Sequence, residues 1–190
     1  IIKRLLTLVG LLNPARGVKI KPARKAEIIL SAKADTDILV ETGTEHGTMI
    51  EAVKSKFKTI FSIELNENLF KENLRRFEKD QNVHLYHGDS GKIISDILQK
   101  VTSSATFWLD AHGDPPYKNY PVRDELAAIF NHRIKGHLIF IDDARHFTVK
   151  EMREIKRIAD THNYNYEIVE GLIKLTPTLE HPLYGVTAQA

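Results

Sequence analysis

The sequence predicts an α/β domain built on a doubly wound, mostly parallel sheet with helices on both faces. Three observations carry that prediction. Between Ile38 and Thr161, short β-rich patches alternate five times with helix-length amphipathic patches, the pattern of a parallel sheet covered on both sides. Two further β-rich patches flank Glu170-Gly171, which reads as a tight hairpin turn adding one antiparallel strand. Finally, polar residues stand where each of the first five strands ends, and ligands of open α/β sheets sit beyond the carboxyl ends of their strands.

Taken in order, Glu27 to Lys33 ends a helix and Asp35-Thr36-Asp37 turns into the first strand, Ile38 to Glu41. A helix over Thr48 to Phe57 follows. Thr59 to Glu64 is β-rich, and Asn66 caps a helix reaching Phe77, since an Asn side chain can accept from the free N–H groups of a first turn. Val83 to Tyr86 is the third strand. Gly91 to Lys100 is a helix with Ile93, Ile94, Ile97 and Leu98 on one face. Thr106 to Asp110 forms the fourth strand, followed by a Gly/Pro-rich loop and a helix from Val122 to Phe130. His137 to Asp142 is the fifth strand, and Val149 to Thr161 a helix with Met152, Ile155, Ile158 and Ala159 at helical spacing. Tyr166 to Val169 and Leu172 to Leu175 form the hairpin.

Composition bounds the function. The 190 residues, 42% of them hydrophobic, suit one domain with a sizeable core. A net charge of +2 with both signs mixed gives no case for general nucleic-acid binding. The absence of cysteine excludes disulfides and thiolate metal sites and fits a reducing, cytoplasmic location. Residues 1–34 form a basic, amphipathic N-terminal helical segment, 35–176 the main domain and 177–190 a polar tail. The apolar run from Ile1 to Leu12 is too short to span a bilayer, which takes about 20 residues. It reads as a helix packed on the domain or a partner subunit. A membrane-surface helix and a trimmed leader are the alternatives.

The polar strand ends are Glu41, Glu64, His87-Gly88-Asp89-Ser90, Asp110 and Asp142-Asp143. Gathered on one rim, these acids repel one another unless something positive or hydrogen-bond-donating lies among them. Individually, Asp89 or Ser90 is as well explained as a helix cap. Glu64 stands 21 residues beyond Gly43, where a carboxylate can accept from both hydroxyls of a ribose. A dinucleotide turn requires Gly-x-Gly-x-x-Gly around a pyrophosphate. Here the pattern is Glu41-x-Gly43-x-x-x-Gly47, with Glu45 in place of the middle glycine. Glu41 and Glu45 disfavour a pyrophosphate and suit a ligand carrying an ammonium and a sulfonium.

The stretch Glu41-Thr42-Gly43-Thr44-Glu45-His46-Gly47-Thr48 resembles motif I of class I S-adenosylmethionine-dependent methyltransferases, in the form found in catechol O-methyltransferase and its relatives. Ser62-Ile63-Glu64-Leu65-Asn66 is similar to that family's ribose-binding strand end, and Gly88-Asp89-Ser90 to its adenine-side loop. The resemblance spans Asp35 to Leu175. It implies a Rossmann-like, seven-stranded, mostly parallel sheet with one antiparallel strand, and S-adenosylmethionine as cofactor. It further implies that Gly43 and Gly47, with Thr44 and Thr48, let the cofactor approach the backbone. Glu41 lies near its methionine end, Glu64 and Leu65 sit at the ribose, Asp89 and Ser90 flank the adenine, and Asp110 borders both cofactor and acceptor.

A second constellation joins Phe107-Trp108-Leu109-Asp110-Ala111-His112 to Ile139-Phe140-Ile141-Asp142-Asp143-Ala144-Arg145. Asp110, Asp142 and Asp143 can converge on one hard cation such as magnesium, which takes oxygen ligands. In the alternative reading Asp142 caps a turn and Asp143 pairs with Arg145. The metal arrangement resembles that of catechol-type and, more closely, macrocin-type sugar O-methyltransferases, where a metal lowers the pKa of a substrate hydroxyl. The catechol-type lysine is replaced here by Gly113 and the macrocin-type acid by His112. His112 is therefore the candidate base, with Asp114 second. The expected function is methyl transfer to a hydroxyl of a small molecule, such as a sugar or vicinal diol. The alternatives are a metal-independent N- or carboxyl-methyltransferase and a non-catalytic cofactor-binding module.

Overall fold

A computed structural model describes residues 14, 15, 17, 19–111 and 121–178. The run from Ile1 to Leu12, the loop with His112 and Asp114, and positions 179–190 of the tail lie outside the described residues. The elements are α1 (Pro22–Ala32), β1 (Ile38–Thr42), α2 (Thr48–Val53), β2 (Thr59–Glu64), α3 (Glu67–Arg76), β3 (Val83–His87) and α4 (Ser90–Leu98). They continue with β4 (Thr106–Leu109), α5 (Val122–Asn131), β5 (Leu138–Ile141), α6 (Val149–Thr161), β6 (Tyr164–Val169) and β7 (Leu172–Pro177).

The seven strands form one sheet in the order β3-β2-β1-β4-β5-β7-β6. All neighbouring pairs from β3 to β5 are parallel. β7 runs antiparallel to both β5 and β6. This is the expected doubly wound, mostly parallel sheet with one antiparallel strand. The order reverses between β1 and β4, so the connections after these two strands leave in opposite directions and open a crevice at their carboxyl ends.

Side chains alternate faces along a strand, and each parallel strand therefore feeds two cores. Val40, Phe107, Ile139 and Ile173 face α4, α5 and α6 through Ile94, Leu126 and Ile155. Leu39, Trp108, Phe140 and Leu172 face α1 and α2 through Ile29 and Ile50. Burial on both faces explains why β1, β4 and β5 read as unbroken apolar runs.

Small boundary differences have local causes. The helix predicted to reach Phe57 stops at Val53 and tightens into a 3-10 turn, Lys54–Lys56. The Asn82 side-chain amide donates to the carbonyls of Lys54 and Phe57 at 2.9 Å each, holding that end. β6 begins two residues early because buried Tyr164 pairs with Pro177 across the hairpin. The Asn66 cap is as expected, with its side chain accepting from the N–H groups of Asn68 and Leu69. Among the described residues, no helix is long and apolar enough to cross a membrane.

Candidate functional site at the carboxyl rim

β1 and β2 run in parallel register, and this sets Glu41 beside Ser62. The Ser62 hydroxyl bonds to the Glu41 carboxyl, and the Thr44 and Ser62 hydroxyls are in contact at 2.6 Å. Glu41 is buried, and that burial pushes its pKa up to about 8, opposed by the Ser62 hydrogen bond and reinforced by the charge of Glu64. At neutral pH it is mostly a neutral acid at the base of the turn. The sequence reading gave Glu41 a charge that would suit an ammonium; in the structure the residue is buried and mostly uncharged at neutral pH.

Glu64 is held differently. Its Oε2 accepts from the N–H of Glu45 at 2.8 Å and its Oε1 from the N–H of Asn66 at 2.7 Å. The two backbone donors fix the carboxylate at the end of β2, and each oxygen keeps a further lone pair. Leu65, next to it, is 68% exposed, an apolar surface beside a fixed acceptor. Thr48 is exposed at the start of α2.

Gly43 and Gly47 both have positive φ, 80° and 68°, where L side chains are strained. A Cβ at Gly43 would run into the Asp110 carbonyl, and one at Gly47 would lie 2.5 Å from Asn73 Oδ1 and 2.6 Å from the Phe77 ring. Both glycines thus answer first to packing within the protein.

The adenine-side pair is employed locally. Asp89 is the N-cap of α4, accepting from the N–H of Gly91 at 3.1 Å and pairing with Lys92 at 3.2 Å. Ser90 is buried and its hydroxyl bonds to Glu125, so its side chain turns inward rather than towards the rim. The helix-cap alternative describes Asp89 as found.

The ladder continues one residue past β4 and β5. The Asp110 N–H donates to the Thr42 carbonyl at 2.9 Å, and the Asp142 N–H to the Leu109 carbonyl at 3.0 Å. Two residues beyond Trp108 and Phe140, Asp110 and Asp142 share their face, the one covered by α1. Burial, then the charge of Asp142, raises the pKa of Asp110 well above the carboxylate range, while Lys25 opposes the rise. Lys25 of α1 forms an ion pair with Asp142 Oδ2. The other oxygen, Oδ1, accepts from the N–H of Asp143 at 2.6 Å. Asp143 has left-handed backbone, φ 46°, and its carboxylate meets Arg145 at 2.9 Å and His146 at 3.8 Å.

The side chains of Asp110 and Asp142 lie within hydrogen-bonding reach of each other, while Asp143 turns to Arg145 and His146. No group of three His, Asp or Glu side chains suited to a metal ion occurs among the described residues. Of the expected magnesium ligands, Asp142 carries the ammonium of Lys25 on one oxygen and the N–H of Asp143 on the other, and Asp143 pairs with Arg145. Arg123, in the first turn of α5, pairs with Glu154 at 2.6 Å. His112, the candidate base, lies outside the described residues.

Sequence reasoning missed Lys25 and Glu125. Glu125 is buried beneath the rim beside Ser90 and Thr42, and burial raises its pKa to about 7. In sequence it is one acid in the first turn of an amphipathic helix, where acids are common. Lys25 is one of several cations in a basic segment. Neither carries a local signal.

No protein-family model matches the sequence, and comparison with curated proteins gives no match. Solved structures do match in fold. DesVI of Streptomyces venezuelae aligns with a TM-score of 0.59 at 10% identity, over 92% of this chain and 97% of its own. SMU.1697c of Streptococcus mutans, solved in complex with SAH, gives 0.58 at 11% identity over 83% and 97%. CalS10 of Micromonospora echinaspora, an amino pentose methyltransferase, gives 0.47 at 17% identity; the match covers 74% of this chain and about half, 55%, of that one. The fold is the Rossmann-like one shared with DesVI and with SMU.1697c, which is described as a methyltransferase.

Proposed function

We propose that the chain is an S-adenosylmethionine-dependent methyltransferase acting on a hydroxyl of a small molecule, a sugar or vicinal diol being the leading class. The observation that carries the reading is Glu64, locked by the N–H groups of Glu45 and Asn66 with one lone pair of each oxygen in reserve. A carboxylate so held at the end of β2 suits the two hydroxyls of a ribose, and exposed Leu65 offers an apolar edge beside it. The structural likeness to SMU.1697c, solved with SAH, supports the same ligand.

When bound, the cofactor supplies an electrophilic methyl group on a sulfonium. The chain's own residues hold, orient and deprotonate. Glu64 would hold the ribose hydroxyls, and the turn from Gly43 to Gly47 would face the cofactor. Asp110 borders the acceptor side. His112, two residues further on, is the proposed base: its imidazole would take the hydroxyl proton as the oxygen gains the methyl group and the S–CH3 bond of the sulfonium breaks to leave a thioether. No role is assigned to magnesium; the ammonium of Lys25 on Asp142 Oδ2 and the N–H of Asp143 on Oδ1 support that reading. That occupancy also favours the metal-independent N- or carboxyl-methyltransferase as second reading.

Calorimetric titration with S-adenosylhomocysteine tests the proposal. Binding by the wild type, weakened at least about tenfold by Glu64→Ala, a loss of about 1.4 kcal/mol, is the expected result. Absence of binding by the wild type overturns it. Incubation with labelled donor and a panel of hydroxyl and amine acceptors then separates a catalyst from a binding module.

A further inference from the structure

We propose that Lys25 is a built-in cation, its ammonium filling the position at the ends of β4 and β5 where a divalent ion would otherwise be held. The acidic rim is neutralised by the chain itself, and no metal enters there.

Four observations converge on this. Asp110 and Asp142 end neighbouring strands on the face covered by α1, and Lys25 projects from the first turn of that helix. Its Nζ pairs with Asp142 Oδ2 in a shielded setting, the two side chains being 16% and 1% exposed. The same Nζ lies 5.8 Å from the centroid of the Trp108 ring, a face attractive to cations. Arg24, the preceding residue, grips Glu170 of the β6–β7 turn through Nε at 3.1 Å and an Nη at 2.6 Å. This two-pronged contact fixes the register of α1 and so the reach of Lys25.

A divalent ion entering this position would have to displace the ammonium from Asp142 Oδ2 and share Oδ1 with the N–H of Asp143. It would also face a like charge a few ångströms away, in a setting that screens poorly. Asp143 offers no substitute, because Arg145 holds it. The chemical consequence is that the acceptor need not be a chelator. A single hydroxyl or amine satisfies a site whose positive charge is an N–H donor rather than a metal.

Manganese(II) binding by the whole chain, read by electron paramagnetic resonance, tests this. The wild type should leave millimolar manganese free. Lys25→Met should bind it at least about tenfold more tightly than wild type, and Lys25→Met/Asp142→Asn should lose that gain. Wild-type binding that Asp142→Asn abolishes overturns the proposal, as does failure of folded Lys25→Met to bind. If Lys25→Met does not fold, wild-type melting decides. A melting temperature unmoved by magnesium supports the built-in cation; one raised by magnesium in the wild type but not in Asp142→Asn overturns it. No readout involves the methyl donor, so failure here is distinguishable from failure of the cofactor titration.

Discussion

Glu41 illustrates how burial changes what a residue is for. An exposed glutamate beside a glycine turn is an anion; this one lies between Ser62 and Trp108 in register and has a pKa of about 8. Its folded pKa is raised above the ordinary value of 4.5. The folded state therefore holds this proton more tightly than the unfolded chain does. The associated stability is complete below 4.5 and is lost as pH rises through about 8. Glu41→Gln keeps an acceptor for Ser62 and removes the titration. Its melting temperature should rise relative to wild type between pH 5 and pH 8. The difference should grow by up to about 1.4 kcal/mol per pH unit, as one proton allows. Equal pH profiles for the two proteins would show that Glu41 is not the group responsible.

At the scale of elements, what was legible in the sequence was local. The strands, the Asn66 cap and the helix Val149 to Thr161 all follow from short-range patterns. That helix carries a complete capping box: the Thr148 hydroxyl accepts from the N–H of Glu151, whose carboxylate accepts from the N–H of Thr148. Thr148→Ala should cost about 1 kcal/mol in urea unfolding with the slope unchanged. The place of Glu64 at the end of a strand was legible for the same reason. The pairing of Lys25 with Asp142 was not, because it joins positions 117 apart. No periodicity links a cation in one helix to an acid in a remote strand end. The sequence did announce a need, since clustered acids demand a positive partner, but not that a lysine of α1 would answer it. Glu125 was hidden likewise: its neighbours Ser90 and Thr42 come from two other elements.

For the molecule as a whole, the strand order divides the rim at the β1/β4 boundary. Glu64 and the glycine turn lie on one side; Asp110, Asp142 and Lys25 lie on the other. A ligand bridging both would tie the two halves together and bind the folded state alone. S-adenosylhomocysteine at a hundred times its dissociation constant should therefore add about 2.7 kcal/mol. For a chain of this size that is a rise in melting temperature of about 5–10 °C. A scanning calorimeter reads it directly, and no rise at saturation would mean that the ligand does not select the native fold.

The packing of Gly43 against the Asp110 carbonyl carries a consequence for redesign. A side chain at position 43 would push on the backbone that carries Asp110, so the two halves of the rim behave as one mechanical part. Any substitution that shifts the turn after β1 displaces Asp110 with it. A change meant to leave that turn undisturbed is therefore better made on α1, whose Lys25 reaches Asp142 without passing through that shared joint.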